Sequence, residues 1–392
     1  MKIKNVSNVL LIGIGGVYNY GCEAIIRGTV KILREQFPNI RISYASYNYL
    51  YDKRRLADCD LVVIDRTRRK KFIGRRIVRK VLSYINIRIM IPYDSLRFVR
   101  KNKFDAVFSI GGDIYTLGPG GEFNKALPQF CEKCQRIRLK YILFGASVGP
   151  FDKNKRAEIF FRNHLHKADL IVARENRTIN YLSALGISQN VVFAPDPAFF
   201  VGSEITKKPN LNSLKRILAI NISPLSCSYF YSDMGIALKV LSTAIIDILK
   251  KSIFNIVFVP HVFAIQDSDN DFLFMTKIIN QLPAELNHRV SIISEDEGFI
   301  SLKKKLVEFD FLLAVRMHCA INGVSAGLPT IFLYYSDKAK GMTEIVYGDL
   351  RNLISLNKLP DVDKLLELLQ ETDFHSNVDE IKQFNFQKIF DI

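Results

Sequence analysis

The chain has 392 residues, 48% hydrophobic and 24% charged, which is enough apolar material for two ordinary cores and argues against long disorder. No run approaches the roughly 18 apolar residues of a membrane-spanning helix, and Met1-Lys2-Ile3-Lys4 leads into a strand-like segment without a signal-peptide pattern, which predicts a cytoplasmic protein. The net charge of +16 is concentrated between Arg66 and Lys103, where fourteen Lys or Arg stand against one acid, Asp94, a net +13.

From the start, Val9–Ile14 reads as a buried strand running into Gly13-Ile14-Gly15-Gly16-Val17-Tyr18-Asn19-Tyr20-Gly21, with a helical stretch at Glu23–Glu35. Glycines at such a turn let a ligand approach the backbone, and a helix N-terminus offers unpaired N–H groups. Tyr18 stands where a dinucleotide fingerprint needs its third glycine, and no Gly-Lys-Ser/Thr follows, so neither that fingerprint nor a Walker A loop is present. Two readings remain: a structural tight turn, or a cleft-facing loop in which Gly15, Gly16, Asn19 and Glu23 meet ligand hydroxyls.

Arg41–Ala45 and Leu61–Ile64 read as the next strands, and the basic segment 66–103 follows. Within it Ile73, Ile77, Val81 and Ile85 fall at helical spacing among Arg75, Arg76, Arg79 and Lys80. Such a helix can lie on an anionic membrane surface or pack its stripe on its own domain; no nucleic-acid motif accompanies it, so nucleic acid is not an expected partner. Ala106–Ile110 then ends in Gly111-Gly112-Asp113, where a carboxylate can bind hydroxyls, take a proton, or cap a turn. Cys131 and Cys134 form a lone CxxC with no second pair or nearby His, a weak redox or zinc signal. Tyr141–Phe144, Leu170–Ala173 and Val191–Phe193 complete a first strand series, interleaved with helical stretches Arg156–Lys167 and Asn176–Leu185.

Around residues 201–215 the pattern breaks into a polar linker, and a second series follows: Arg216–Ile222, Asn255–Val259, Val290–Ile293, Phe311–Val315 and Thr330–Tyr334. The alternation predicts an α/β protein of two Rossmann-like domains, 1–205 and 206–392, facing across a cleft as in GT-B folds. The sharpest cluster is Val315-Arg316-Met317-His318 at the end of an apolar strand and the start of a helix. Strand end, helix dipole and a planar guanidinium coincide there, which favours an anion. Lys338 and Lys340 repeat the arrangement after the next strand, and His261 ends another.

Taken in order, the glycine-rich start through Glu23-Ala24, Gly111-Gly112-Asp113, Gly145-Ala-Ser-Val-Gly149-Pro150, Ala173-Arg174-Glu175, Pro195-Asp196-Pro197, Pro260-His261, Arg316-Met-His318 and Tyr335-x-x-Lys338 resemble the polysaccharide pyruvyl transferase family. The resemblance spans about residues 10 to 345 and departs at Cys22, where an acid is more usual, and at Thr178, where Ser is usual. It implies a GT-B-like fold and transfer of pyruvate from phosphoenolpyruvate, as a ketal, to a sugar of a cell-surface polymer or its lipid-linked precursor. Arg316 and Arg174 would then bind the donor with Lys338 in reserve, His318 would deliver the proton to the methylene carbon, and Asp113 or Glu23 would take a hydroxyl proton. Gly15, Gly16, Asn19 and Gly112 would lie on the acceptor side. No metal cluster is visible in the sequence, and no cofactor beyond the co-substrate phosphoenolpyruvate is expected. A glycosyltransferase using a nucleotide sugar is the alternative. The basic segment would place the enzyme peripherally on the inner face of the membrane.

Overall fold

The computed structural model describes residues 6–66, 96–112, 114–118, 120–207, 216–335, 338–371 and 373–390. The expectations for Asp113 and for the apolar stripe of the basic segment (67–95) fall outside those residues.

Two parallel sheets are formed. The first has seven strands, β1 (Asn8–Ile12), β2 (Arg41–Ser46), β3 (Val62–Asp65), β4 (Ala106–Ile110), β5 (Lys140–Ala146), β6 (Leu170–Ala173) and β7 (Val191–Phe193), in the spatial order β3-β2-β1-β4-β5-β6-β7. The second has six, β8 (Ile217–Asn221), β9 (Asn255–Phe258), β10 (Val290–Ile292), β11 (Phe311–Ala314), β12 (Thr330–Tyr334) and β13 (Leu353–Ser355), in the order β10-β9-β8-β11-β12-β13. Both faces are covered, as a parallel sheet requires. In β1, Val9 and Leu11 enter one apolar cluster while Leu10 and Ile12 enter another on the opposite face.

The two-domain α/β architecture read from the sequence is present, with two adjustments. The strand β13 has no counterpart in the sequence pattern, because three residues, Leu353-Ile354-Ser355, give no readable period. The C-terminal residues do not stay with the second sheet: Phe390 packs on Phe37 (5.3 Å between ring centroids) and Phe144 (6.2 Å), and Phe386 on Phe200 (5.0 Å). One buried cluster runs continuously from Val6 through Phe144, Phe199, Phe299 and Ile321 to Phe390, so the two sheets share a core across their seam. The Cys131 and Cys134 thiols lie in that part of the first domain's opposite core formed by helix Ala126–Arg136; burial pushes Cys134 up to about 12 and Cys131 well above its ordinary value, which fits packing rather than reactivity.

Candidate active site

In each sheet the strand order reverses once, between β1 and β4 in the first and between β8 and β11 in the second. The crevice beyond the carboxyl ends at such a reversal is where doubly wound sheets bind ligands. The glycine-rich turn after β1 and Gly111-Gly112 after β4 stand at one reversal; Arg316 and His318 stand at the other.

The first-domain turn is built for close approach. Asp52, fully buried, accepts hydrogen bonds from the Val17 amide (3.1 Å), Tyr44 (2.9 Å) and Ser46 (2.6 Å), which pins the turn to β2. Asn19 caps helix Tyr20–Gln36, its Oδ1 accepting from the amides of Gly21 (3.0 Å) and Cys22 (3.4 Å). The helix therefore begins three residues before the stretch read from the apolar pattern. The same turn docks on the second domain, where the Tyr20 amide donates to the His261 carbonyl (3.0 Å) and the Phe263 amide to the Tyr18 carbonyl (3.0 Å). Gly21 is required by contact: a Cβ there would lie 2.7 Å from Nδ1 of His318. The imidazole thus sits directly on the start of the first domain's helix.

On the second domain, Arg316 is the N-terminal flanking residue of helix Met317–Ser325, which has no side-chain cap. Asn221 ties the neighbouring strand ends together by accepting from the Arg316 amide (2.9 Å) and donating to the Val259 carbonyl (2.8 Å). The Arg316 guanidinium is clamped by two carboxylates, Nη2 donating to Asp269 (2.6 Å) and Asp271 (2.8 Å), and Nε to Asp271 (3.2 Å). Burial opposes the charge, but Asp271 and Asp269 outweigh it and hold the guanidinium above its ordinary range. Its Nη1 makes no hydrogen bond among the described residues and is the nitrogen left for a ligand. The hydroxyls of Ser223 and Ser226, beyond the end of β8, are buried and likewise have no hydrogen-bond partner among the described residues. Nothing in the sequence singles them out, because isolated serines carry no pattern.

His318 is 15% exposed and reaches back to the first domain, where its Nε2 lies 3.4 Å from Oδ2 of the fully buried Asp196. The same carboxylate oxygen accepts from Nη1 of Arg174 at 2.7 Å, and Oδ1 accepts from the Ala198 amide at 2.9 Å. Burial would raise the Asp196 carboxyl, but His318 and Arg174 outweigh it and hold it well below the usual carboxylate range. Arg174 is wholly buried; it also donates from Nε to Ser147 (3.0 Å) and lies against Gly112, where a Cβ would meet its guanidinium at 2.7 Å. It braces the floor of the site, whereas the Arg316 and His318 side chains each keep some open surface. His261 is buried beside them; burial, then His318 and Arg316, drives its imidazole well below the ordinary value.

Glu23 does not reach toward a ligand hydroxyl. Its Oε1 accepts from Arg27 (2.8 Å) and its Oε2 from the Phe299 amide (3.0 Å) at the start of helix Phe299–Leu306 in the other domain, and it is 1% exposed. The carboxylate is an inter-domain cap, which corrects its reading as a base. Thr178, where the family more often has Ser, accepts from the Val148 amide (3.1 Å) and donates to Glu175 (2.8 Å), both of which Ser would also do. Lys338 opens helix Lys338–Tyr347. Its side chain, like Asp113, is outside the described residues, so neither enters the geometry. Among the described residues no three His, Cys, Asp or Glu side chains converge as metal ligands, and no helix is long and apolar enough to cross a membrane.

Solved structures share this architecture at low identity. HepE from Anabaena, determined with UDP-glucose, superposes with a TM-score of 0.57 at 12% identity, covering 98% of this chain and 94% of its own. A glycosyltransferase from Rickettsia africae gives 0.56 at 14% (97% and 93%), and the UDP-GlcNAc 2-epimerase of Methanocaldococcus jannaschii 0.56 at 13% (96% and 97%). These likenesses establish the GT-B fold alone. No curated protein matches the sequence closely enough to count as a relative. The family model described as polysaccharide pyruvyl transferase matches residues 19–337, from the cap of the first helix to beyond β12. With the matched stretch covering most of the chain, running through strands of both sheets and including Arg316 and His318, the chain belongs to the polysaccharide pyruvyl transferase family.

Proposed function

We propose that the enzyme transfers pyruvate from phosphoenolpyruvate to two hydroxyls of a sugar, forming a cyclic ketal and releasing phosphate. The observation that carries this reading is the placement of Arg316 and His318 together at the uncapped start of helix Met317–Ser325, facing the glycine turn across the seam. Helix N–H groups and the open Nη1 of Arg316 suit the donor's anionic groups. His318 gives its proton to the methylene carbon of the donor, and the double-bond electrons form the new C–H bond. The adjacent carbon, now electron-poor, is attacked by one hydroxyl, whose proton passes to the neutral imidazole. Phosphate leaves with the C–O bonding pair and takes up the proton of the second hydroxyl, whose oxygen closes the ring. Protons balance over the cycle, and His318 returns to its starting state.

The test is ligand protection. Phosphoenolpyruvate should raise the unfolding temperature and UDP should not; protection by UDP with none by phosphoenolpyruvate would favour a nucleotide-sugar transferase on the same fold. The lipid-linked acceptor and the membrane surface belong to the same proposal and rest on the net +13 of residues 66–103. Each basic residue close to an anionic surface contributes about 1 kcal/mol. The protein should therefore sediment with anionic vesicles at low salt and be released at high salt, and indifference to such vesicles would refute the attachment.

A further inference from the structure

Asp196 lies in the first domain and His318 in the second, and no step of the proposed transfer uses the carboxylate. Yet its Oδ2 is shared between Arg174 (2.7 Å) and His318 Nε2 (3.4 Å), its Oδ1 is fixed by the Ala198 amide (2.9 Å), and the residue is fully buried. The two ring nitrogens of His318 differ accordingly. Nε2 is buried with Asp196 as its facing group, whereas Nδ1 makes no hydrogen bond among the described residues. Gly21 leaves room for the Nδ1 edge, which a Cβ would meet at 2.7 Å.

We propose that Asp196 is a positioning residue for the transfer: it turns Nε2–H of His318 toward itself across the domain seam, so that Nδ1 carries the proton given to the donor. This rests on the reading of His318 as the proton donor. The carboxylate cannot swing away to follow the imidazole, because Arg174 and the Ala198 amide hold it from the other side. It therefore fixes the ring plane and the tautomer together. Arg174 acts one step further back, by holding Asp196. In the proton transfer itself the Nδ1–H bond breaks, its electron pair stays on the imidazole, and the ring is left neutral with its remaining proton on Nε2 facing Asp196.

The test uses the whole protein with its histidines labelled with nitrogen-15, and His318→Gln to assign the signal. In the wild type the neutral His318 ring should carry its proton on Nε2; a neutral ring protonated on Nδ1 would overturn the proposal. This measurement needs no substrate, so it decides the point even if phosphoenolpyruvate is not the donor. Asp196→Asn keeps the shape and removes the charge. In a folded variant the tautomer preference should be lost and kcat should fall by at least about tenfold, with KM for phosphoenolpyruvate within about threefold. An unchanged tautomer and unchanged kcat in that variant would also overturn it. If Asp196→Asn does not fold, the wild-type tautomer by itself supports or overturns the proposal.

Discussion

The two sheets reverse their strand order in the same way, yet their ligand edges are finished differently. Among the described residues of the first domain's edge, Arg174 and Asp196 are both fully buried in one ion pair, and Glu23 caps a helix of the other domain. Gly21 and Gly112 leave space there for His318 and Arg174. In the second domain Arg316 and His318 keep an open side, at 12% and 15% side-chain exposure. One topology thus supplies a shaped wall on one side of the cleft and partly open side chains on the other. The bonds of Tyr20 to His261 and of Glu23 to Phe299 hold the two together.

The largest effect should come from the open side. His318→Gln should lower turnover roughly 10²–10⁴-fold, the usual range for losing a general acid, with a much smaller change in donor affinity. Near-normal turnover in a folded variant would move the proton donor elsewhere. Next comes the wall. Gly21→Ala places a methyl group 2.7 Å from Nδ1 of His318 and must displace the ring. Misplacing a reacting group by about 1 Å can cost about 10²-fold, so kcat should fall by that order while the fold survives. Full activity would show that the contact between wall and imidazole is incidental. Arg316→Ala should weaken phosphoenolpyruvate binding by tenfold or more, since a charge-assisted hydrogen bond contributes about 1.5–3 kcal/mol and Asp269 and Asp271 would then face the donor unpaired. Calorimetric titration checks this, and unchanged affinity would remove Arg316 from the donor site.

The smallest effect concerns the seam behind the cleft. Lys303 is fully buried and donates to the Val201 carbonyl at 2.8 Å. Burial, then Lys382 and, after a partial offset from Glu204, Lys31, pull its ammonium from 10.5 down to about 7. Between those two values the unfolded chain binds the additional proton, so this residue makes stability rise with pH from about 7 to about 10.5. Lys303→Met should remove that rise: relative to wild type the variant gains at pH below 7 and loses the advantage as pH increases. Thermal unfolding curves across this range should converge, and parallel curves would contradict the assignment.

These contrasts mark what could be read from the sequence. The alternation of strands and helices along the chain and the cationic cluster at residues 316–318 were legible, because apolar runs and a polar pair at a strand end are local patterns. The enclosure of Glu23 and the bracing role of Arg174 were not, because each is decided by a partner far along the chain: Phe299 for Glu23, Asp196 and Ser147 for Arg174. Asn19 is ambiguous in a different way. Its side chain type suits both hydroxyl binding and helix capping, and the cap becomes visible only with the helix start at Tyr20. The serines at 223 and 226 had no local signal at all.

The central claim is that open cations on one domain act on a donor held against the wall of the other. It is tested most directly by incubating the wild-type protein with phosphoenolpyruvate and a panel of lipid-linked or nitrophenyl sugars, following phosphate and the mass of the sugar. The account predicts phosphate release only when an acceptor is present, one pyruvyl ketal gained per phosphate, and loss of both with His318→Gln. Phosphate release that proceeds equally without acceptor, or a sugar modified only when a nucleotide sugar is supplied, would contradict it.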